Sequence, residues 1–397
     1  MSSTFADLGV SAPTVAALAA RGIAVPFPIQ SAAIPPALAG RDIAGMAPTG
    51  SGKTLAFGIP LASRIVGTPK PRATRPRALV LAPTRELAAQ IHDELRLLLH
   101  PHKRTVAAFY GGVSFVPQLK ALRRGVDVVV ACPGRLADLM RRGNVVLDEV
   151  EVVVIDEADR MADMGFLPEV RRIVDQVRSD RQTMLFSATL DGDVAVLTQR
   201  YQRDPVRCEV EPDTSRPDRT THLEVRARRE DRPGVTAELI GEHGSTIVFC
   251  RTKHGADRLA TQLQRAGVNA VTIHGGRTQA QRQRALDAFA AGRATALVAT
   301  DVAARGIHVD GVECVVNFDA AADQKDYLHR SGRTGRAGAS GVVVTLVSDA
   351  EGARPTRSAR AAVVPAKPQA RRAQSQPRQR LKPKPKFQGK RRFAKAG

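Results

Sequence analysis

The chain lacks any close cysteine pair. Its four cysteines, Cys132, Cys208, Cys250 and Cys314, are scattered through 397 residues with no C-x-x-C. That argues against a zinc site or a disulfide framework and suits a reducing compartment. No run of 18 apolar residues occurs, and the N-terminus MSSTFADLGV has no basic stretch leading into an apolar one. Neither a membrane span nor a secretory leader is therefore predicted, and the expectation is a soluble, cytoplasmic protein. Acidic residues are scarce, 39 against 60 Lys and Arg, for a net charge of +21. The imbalance is local: residues 351–397 hold 15 Lys/Arg and one Glu, with six Pro, five Gln and few large apolar side chains. Such a segment cannot bury a core, and a disordered basic tail is predicted over 351–397.

A chain of this length fits two domains plus an extension. Short β-branched runs alternate with helical patterns from residue 40 to 350. The strand candidates of the first series are 42–47, 78–82, 105–109, 126–131, 150–155 and 183–187. Between them, Arg85–Leu99 places Leu87, Ile91, Leu95 and Leu98 at helical spacing. The segment EVEPDTSRPDRT (209–220) breaks the rhythm and reads as a linker. A second series follows at 221–227, 245–250, 270–273, 295–300, 313–318 and 342–347. Strands apolar on both faces, separated by helices, define parallel sheets covered on both sides. The predicted fold is α/β, two tandem domains over 1–208 and 221–350. Only the first has a phosphate loop, which points to one nucleotide shared by both.

That loop is APTGSGKT (47–54), with Ala47 where the strict pattern has Gly. Its glycines let backbone N–H groups converge on phosphate at the start of a helix, so Thr49, Gly50, Ser51, Gly52, Lys53 and Thr54 are candidate nucleotide-binding residues. Lys53 would reach the β/γ-phosphates and the Thr54 hydroxyl would ligate magnesium. About a hundred residues on, VEVVVI delivers Asp156 and Glu157 to the end of a buried strand. There Asp156 would hold the magnesium of MgATP, and Glu157 would orient and deprotonate the attacking water. Taken alone, two acids at a helix N-terminus are also what the macrodipole favours. The second domain supplies HRSGRTGRAG (329–338), in which Arg333 and Arg336 stand three residues apart. An arginine beside a γ-phosphate accelerates transfer by roughly 10³–10⁵, though a solvated basic turn fits this segment by itself.

Together these pieces resemble a DEAD-box ATP-dependent RNA helicase of superfamily 2, over roughly residues 5–347. Its motifs appear in the family's order: FPIQ (27–30), APTGSGKT, PTRELAAQ (83–90), GG (111–112), CPGR (132–135), DEAD (156–159), SAT (187–189), IVFC (247–250), HGGRTQ (274–279), TDVAARGI (300–307) and HRSGRTGR (329–336). The resemblance implies two RecA-like domains and assigns roles by position. Gln30 would read the adenine edge, with Phe5 anchoring its loop. Asp159, Ser187, Thr189 and His329 would couple hydrolysis to RNA strain. Thr84, Arg85, Gly112, Gly134, Arg135, Arg251, Gly275, Thr300 and Asp301 would touch the RNA backbone, a mode that reads shape rather than sequence. Arg333 and Arg336 would complete the site on closure. The short core and Ala/Arg-rich composition resemble the bacterial RhlE-like type.

Two positions depart from the family pattern. Ile23 stands where an aromatic residue stacks on adenine, and His308, following Gly306-Ile307, where an Asp bonds the ribose. Each loss costs about 0.5–1.5 kcal/mol, enough to weaken ATP binding roughly ten- to a hundredfold in combination. Cys132 in place of Thr and Ser331 in place of Ile are milder departures. The expected activity is RNA-stimulated ATP hydrolysis coupled to local unwinding of short duplexes, with ribosomal or messenger RNA complexes as candidate partners. An ATP-gated RNA clamp is the alternative. A DNA helicase or a generic phosphate-loop ATPase accounts for fewer motifs.

Overall fold

The computed structural model describes residues 3–48, 50–210, 220–304, 309, 311–335, 340–348 and 356–359, the last four and positions 302 and 325 by backbone alone. The first lobe is a seven-stranded sheet of β1 (Ile43–Met46), β2 (Ala78–Leu81), β3 (Val106–Phe109), β4 (Val128–Ala131), β5 (Val152–Asp156), β6 (Gln182–Ser187) and β7 (Val206–Glu209). Their order is β3-β4-β2-β5-β6-β1-β7 and every pairing is parallel. The second lobe contains β8 (Thr220–Ala227), β9 (Thr246–Phe249), β10 (Ala270–Ile273), β11 (Ala296–Ala299), β12 (Cys314–Asn317), β13 (Gly341–Ser348) and β14 (Thr356–Ala359). Its order is β10-β11-β9-β12-β13-β8-β14, parallel except for β14, which runs antiparallel to β8.

The alternation of strand side chains explains both sheets. Val128, Val130, Val152 and Val154 enter one core with Phe57 and Phe186, while Val129, Val153 and Ile155 enter the core on the opposite face. In the second lobe Val248, Val298 and Val316 face one core, and Ile247, Leu297 and Val315 the other. A strand buried on both sides needs no polar face, which is why these runs read as continuous Val and Ile. Helix Arg85–Leu99 forms as its spacing predicts and buries Leu87, Ile91, Leu95 and Leu98. Phe5 is fully buried in the same core as Ile29, and Ile23 packs against that core from its edge.

The twelve strands read from the sequence are present, and the edge strands β7 and β14 were not among them. β7 includes Glu209, the first residue of the segment read as a linker, and Thr220 opens β8; residues 211–219 lie outside the described residues. Of the segment assigned to a disordered tail, only Thr356–Ala359 are described, and they form β14.

Because the strands of a lobe other than β14 are parallel, their C-terminal ends meet at one rim. In the first lobe that rim carries the loop after β1, Thr84-Arg85 after β2, Gly111-Gly112 after β3, Gly134-Arg135 after β4, Asp156-Glu157 at β5 and Ser187–Thr189 at β6. In the second lobe it carries Arg251, Gly275, Thr300 and Asp301.

Candidate active site

Gly50 and Gly52 both adopt φ of +85°, a left-handed conformation that a side chain resists. At Gly52 space is lacking as well: a Cβ there would lie 2.5 Å from Gln30 Nε2 and 2.7 Å from Phe27 Cδ2. Lys53 opens the following helix, is buried, and donates from Nζ to the Ala47 carbonyl at 2.8 Å. The Ser51 hydroxyl donates to the Pro48 carbonyl at 2.8 Å, and Thr54 is half-buried. Gln30 donates from Nε2 to the Gly52 carbonyl at 3.0 Å and accepts at Oε1 from the Phe27 N–H at 2.8 Å. Each end of its amide can make two hydrogen bonds, so one donor and one acceptor position are unused, on a side chain that is 1% exposed. Thr49 lies outside the described residues.

Across the rim, Asp156 accepts from the Glu157 N–H at 3.0 Å and is fully buried. Burial, opposed by Lys53 and reinforced by Glu157, pushes its carboxyl up to about 7. Glu157 itself has φ of +52° and ψ of +52°, a cost that a non-glycine residue bears mainly at functional turns. One of its oxygens accepts from Arg160 Nη1 at 3.1 Å, an ion pair in which both side chains are buried. The Ser187 hydroxyl accepts from the Asp159 N–H at 3.2 Å and from the Thr189 N–H at 3.4 Å. Three of the coupling candidates are thus joined through one hydroxyl.

In the second lobe, Arg333 is buried and donates from Nε to the His329 carbonyl at 3.2 Å. His329, Arg330 and Arg333 line a small cavity with Phe249, Asp301 and Arg160, the last contributed by the first lobe. Arg330 is the hub: it holds Asp301 through two bonds of 2.6 and 2.8 Å, binds Asn317 Oδ1 and the Asp319 carbonyl, and lies over the Phe249 ring. The Asp301 carboxylate, a candidate RNA contact, is therefore engaged inside the lobe. Gly306, His308 and Arg336 lie outside the described residues.

The nucleic-acid candidates of the first lobe cluster. Thr84 caps its helix by accepting from the Leu87 N–H at 3.3 Å. Arg85 lies across Gly112, where φ is +76° and a Cβ would collide with the guanidinium. Arg135 stacks on Phe115 at 3.9 Å and donates to Gln118 and to the Val113 carbonyl. Its guanidinium is held below the usual range by burial, with Arg85 adding to the effect. Gly134 faces open space. In the second lobe Arg251 is exposed with its N–H bonded to Asp319, Gly275 sits beside Lys253, and Thr300 is buried.

The sequence reading passed over the link between lobes. Glu86, almost wholly buried, accepts from Gln279 Nε2 at 3.0 Å and pairs with Arg282 at 3.0 Å. Burial lowers the Arg282 guanidinium, opposed by Glu86. Glu86 stands in a helix first turn, where an acid is unremarkable, and no local spacing reveals its partners. Arg160 was also missed, although its three-residue offset from Glu157 was legible.

Two lobes of one strand order, a phosphate loop in one and a buried arginine cluster in the other, define a two-lobed RecA-like helicase core. The chain belongs to the DEAD/DEAH-box helicase family: a model of the DEAD/DEAH box helicase domain matches residues 27–197, and one of the helicase conserved C-terminal domain matches 233–338. It is 42% identical over 335 residues to the mitochondrial DEAD-box ATP-dependent RNA helicase 9 of Arabidopsis thaliana, which covers 83% of this chain and 54% of that protein. It is 41% identical over 334 residues to the ATP-dependent RNA helicase DeaD of Klebsiella pneumoniae, covering 83% and 51%. The chain thus spans about half the length of these curated relatives. S. cerevisiae Dbp5 bound to RNA and ADP BeF3 is similar in structure, with a TM-score of 0.76 and 30% identity, covering 87% of this chain and 90% of that one. Among the described residues no helix is long and apolar enough to cross a membrane.

Proposed function

We propose that the protein is an RNA-stimulated ATPase that opens short RNA duplexes locally. The carrying observation is the divided site: Lys53, Asp156 and Glu157 stand in the first lobe, while His329 and Arg333 of the second line one cavity with Arg160, the ion-pair partner of Glu157. The relatives named as ATP-dependent RNA helicases, and the Dbp5 structure with RNA and ADP BeF3, support the same reading.

The residues fit MgATP. Asp156 is a buried carboxylate flanked by Glu157 and Asp159, with Lys53 opposing them. Magnesium bound beside phosphates takes only one or two carboxylates from a protein, and no cluster of three or more metal-binding side chains occurs among the described residues. Thr54 and Asp156 would hold the cation, which supplies neutralising charge on the phosphoryl oxygens. The loop residues 49–54 would hold the phosphates, with Lys53 on the β/γ oxygens. Glu157, fixed by its backbone and by Arg160, orients the attacking water and takes its proton. Arg333, with Arg336, stabilises charge developing on the transferred group. Gln30 offers its remaining donor and acceptor to adenine, and the ribose is assigned to Gly306 and His308 from their places in the sequence. Asp159, Ser187, Thr189 and His329 relay the state of the site to RNA.

RNA runs over Thr84, Arg85, Gly112, Gly134 and Arg135, then Arg251, Gly275, Thr300 and the backbone at Asp301. We assign the first lobe as far as Glu209, where β7 ends, and the second from Thr220, where β8 begins, to β14, in place of bounds at 208, 221 and 350, together with a cytoplasmic location and the RhlE-like bacterial type. Ribosomal or messenger RNA complexes are the proposed partners. The basic tail adds phosphate contacts that salt weakens.

Displacement of a labelled strand from a short RNA duplex tests the activity. ATP-dependent displacement that Glu157→Gln abolishes is expected. Tight ATP-dependent RNA binding without displacement would instead establish a clamp.

A further inference from the structure

We propose that Phe27 supplies the flat surface on which the base of the bound nucleotide rests. The inference deepens the ATP reading and rests on it. Ile23 is not free to serve: it is partly buried against the first core, and its N–H bonds the Leu18 carbonyl. Phe27 is 47% exposed, next to the buried Pro26 and close to Val25, which is 61% exposed. It occupies the N-cap of helix Pro28–Leu38 and makes no side-chain cap. Ser, Thr, Asp or Asn stabilises that position, so a half-exposed phenyl ring there forgoes the capping hydrogen bond while resting one edge against Gly52. Such departures from local preference concentrate at functional sites.

Its placement says what the ring is for. Phe27 Cδ2 and Gln30 Nε2 converge on Gly52, at 2.7 and 2.5 Å from where a Cβ would stand. The phosphate loop, an aromatic ring and an amide with one donor and one acceptor to spare therefore share one corner. A purine joined to phosphates through a ribose matches that set: the ring stacks without regard to base identity, and Gln30 reads the edge. The aromatic surface missing at position 23 is then provided four residues later, on the other side of Pro26.

Calorimetric titration of the full chain with ADP and with pyrophosphate, both with magnesium, tests this. Phe27→Thr should raise the ADP Kd about three- to tenfold and leave the pyrophosphate Kd unchanged. Its melting temperature should not fall, because Thr supplies a capping hydroxyl. Phe27→Tyr should keep the wild-type ADP affinity. The chain has no Trp, so Phe27→Trp introduces a single indole whose emission should change with ADP and not with pyrophosphate. Unchanged ADP affinity in Phe27→Thr, or an indole insensitive to ADP, overturns the assignment while the ATP reading stands. Failure of the wild type to bind either ligand overturns both.

Discussion

The two lobes repeat one strand order but not one chemistry. If β8–β14 are matched in sequence to β1–β7, the order β10-β11-β9-β12-β13-β8-β14 repeats β3-β4-β2-β5-β6-β1-β7 strand for strand. After β1 comes the phosphate loop; after β8, at the same place, come Arg228, Arg229, Glu230 and Asp231. β5 ends on Asp156, with Glu157 next; β12 is followed by Phe318 and Asp319, and Asp319 accepts from Arg330 through its carbonyl and from the Arg251 N–H through its carboxylate. The first lobe thus concentrates buried carboxylates around Lys53, and the second concentrates buried guanidinium groups held by its own acids and carbonyls. One scaffold carries buried acids near the phosphate loop in one copy and buried arginines in the other. On the proposed function each half needs the other, the first to hold the nucleotide and activate water, the second to add arginine charge at the transferred group.

The largest effect should come from the second lobe. Arg333→Ala is expected to lower the RNA-stimulated kcat by about 10³–10⁵ while the ATP Kd changes less than about threefold. Rapid-quench hydrolysis with parallel nucleotide titration checks this, and a loss confined to affinity would make Arg333 a mere binding residue. Next is the link between lobes. Removing one partner of the buried Glu86–Arg282 pair leaves a charge uncompensated, at a cost of about 3–5 kcal/mol to the contact between lobes. Glu86→Gln should therefore raise the RNA concentration for half-maximal ATPase at least tenfold, about 1.4 kcal/mol. Adding Arg282→Met should restore part of the loss, and a double variant worse than either single would contradict the pairing.

The third effect separates the acidic half from the rest by pH. Asp156 ionises in the folded chain only near pH 7, against 3.8 as its ordinary value. The folded state therefore holds the proton longer, and stability falls as pH rises from about 4 to 7. In EDTA and without nucleotide, Asp156→Asn should raise the melting temperature by roughly 5 °C at pH 8 and by less at pH 5. Equal shifts at both pH values would mean that burial of the charge is not the cause.

What the sequence disclosed follows the reach of each interaction. Central strands were legible because two buried faces demand unbroken Val and Ile, as in VVVA and VVVID. The edge strands VRCE and TRSA carry no such pattern and exist through backbone pairing to β1 and β8. The loop, the DEAD tetrapeptide and Arg333 were readable because each is a contiguous motif. Glu86 with Arg282, and Asp301 with Arg330, were not, since residues far apart in the chain meet only once the fold exists. Phe27 is legible as part of FPIQ, but its exposure and its approach to Gly52 arise only in the fold.

The central claim is that residues of two lobes act as one site, and a double-mutant cycle measures it. Single-turnover ATP hydrolysis with saturating RNA would be compared for Glu157→Gln, Arg333→Ala and the double variant. Groups that act as a unit are non-additive, so the double variant should be no slower than the slower single within about threefold. A double variant whose loss is the product of the two single losses would show that the lobes contribute independently, and would contradict the account.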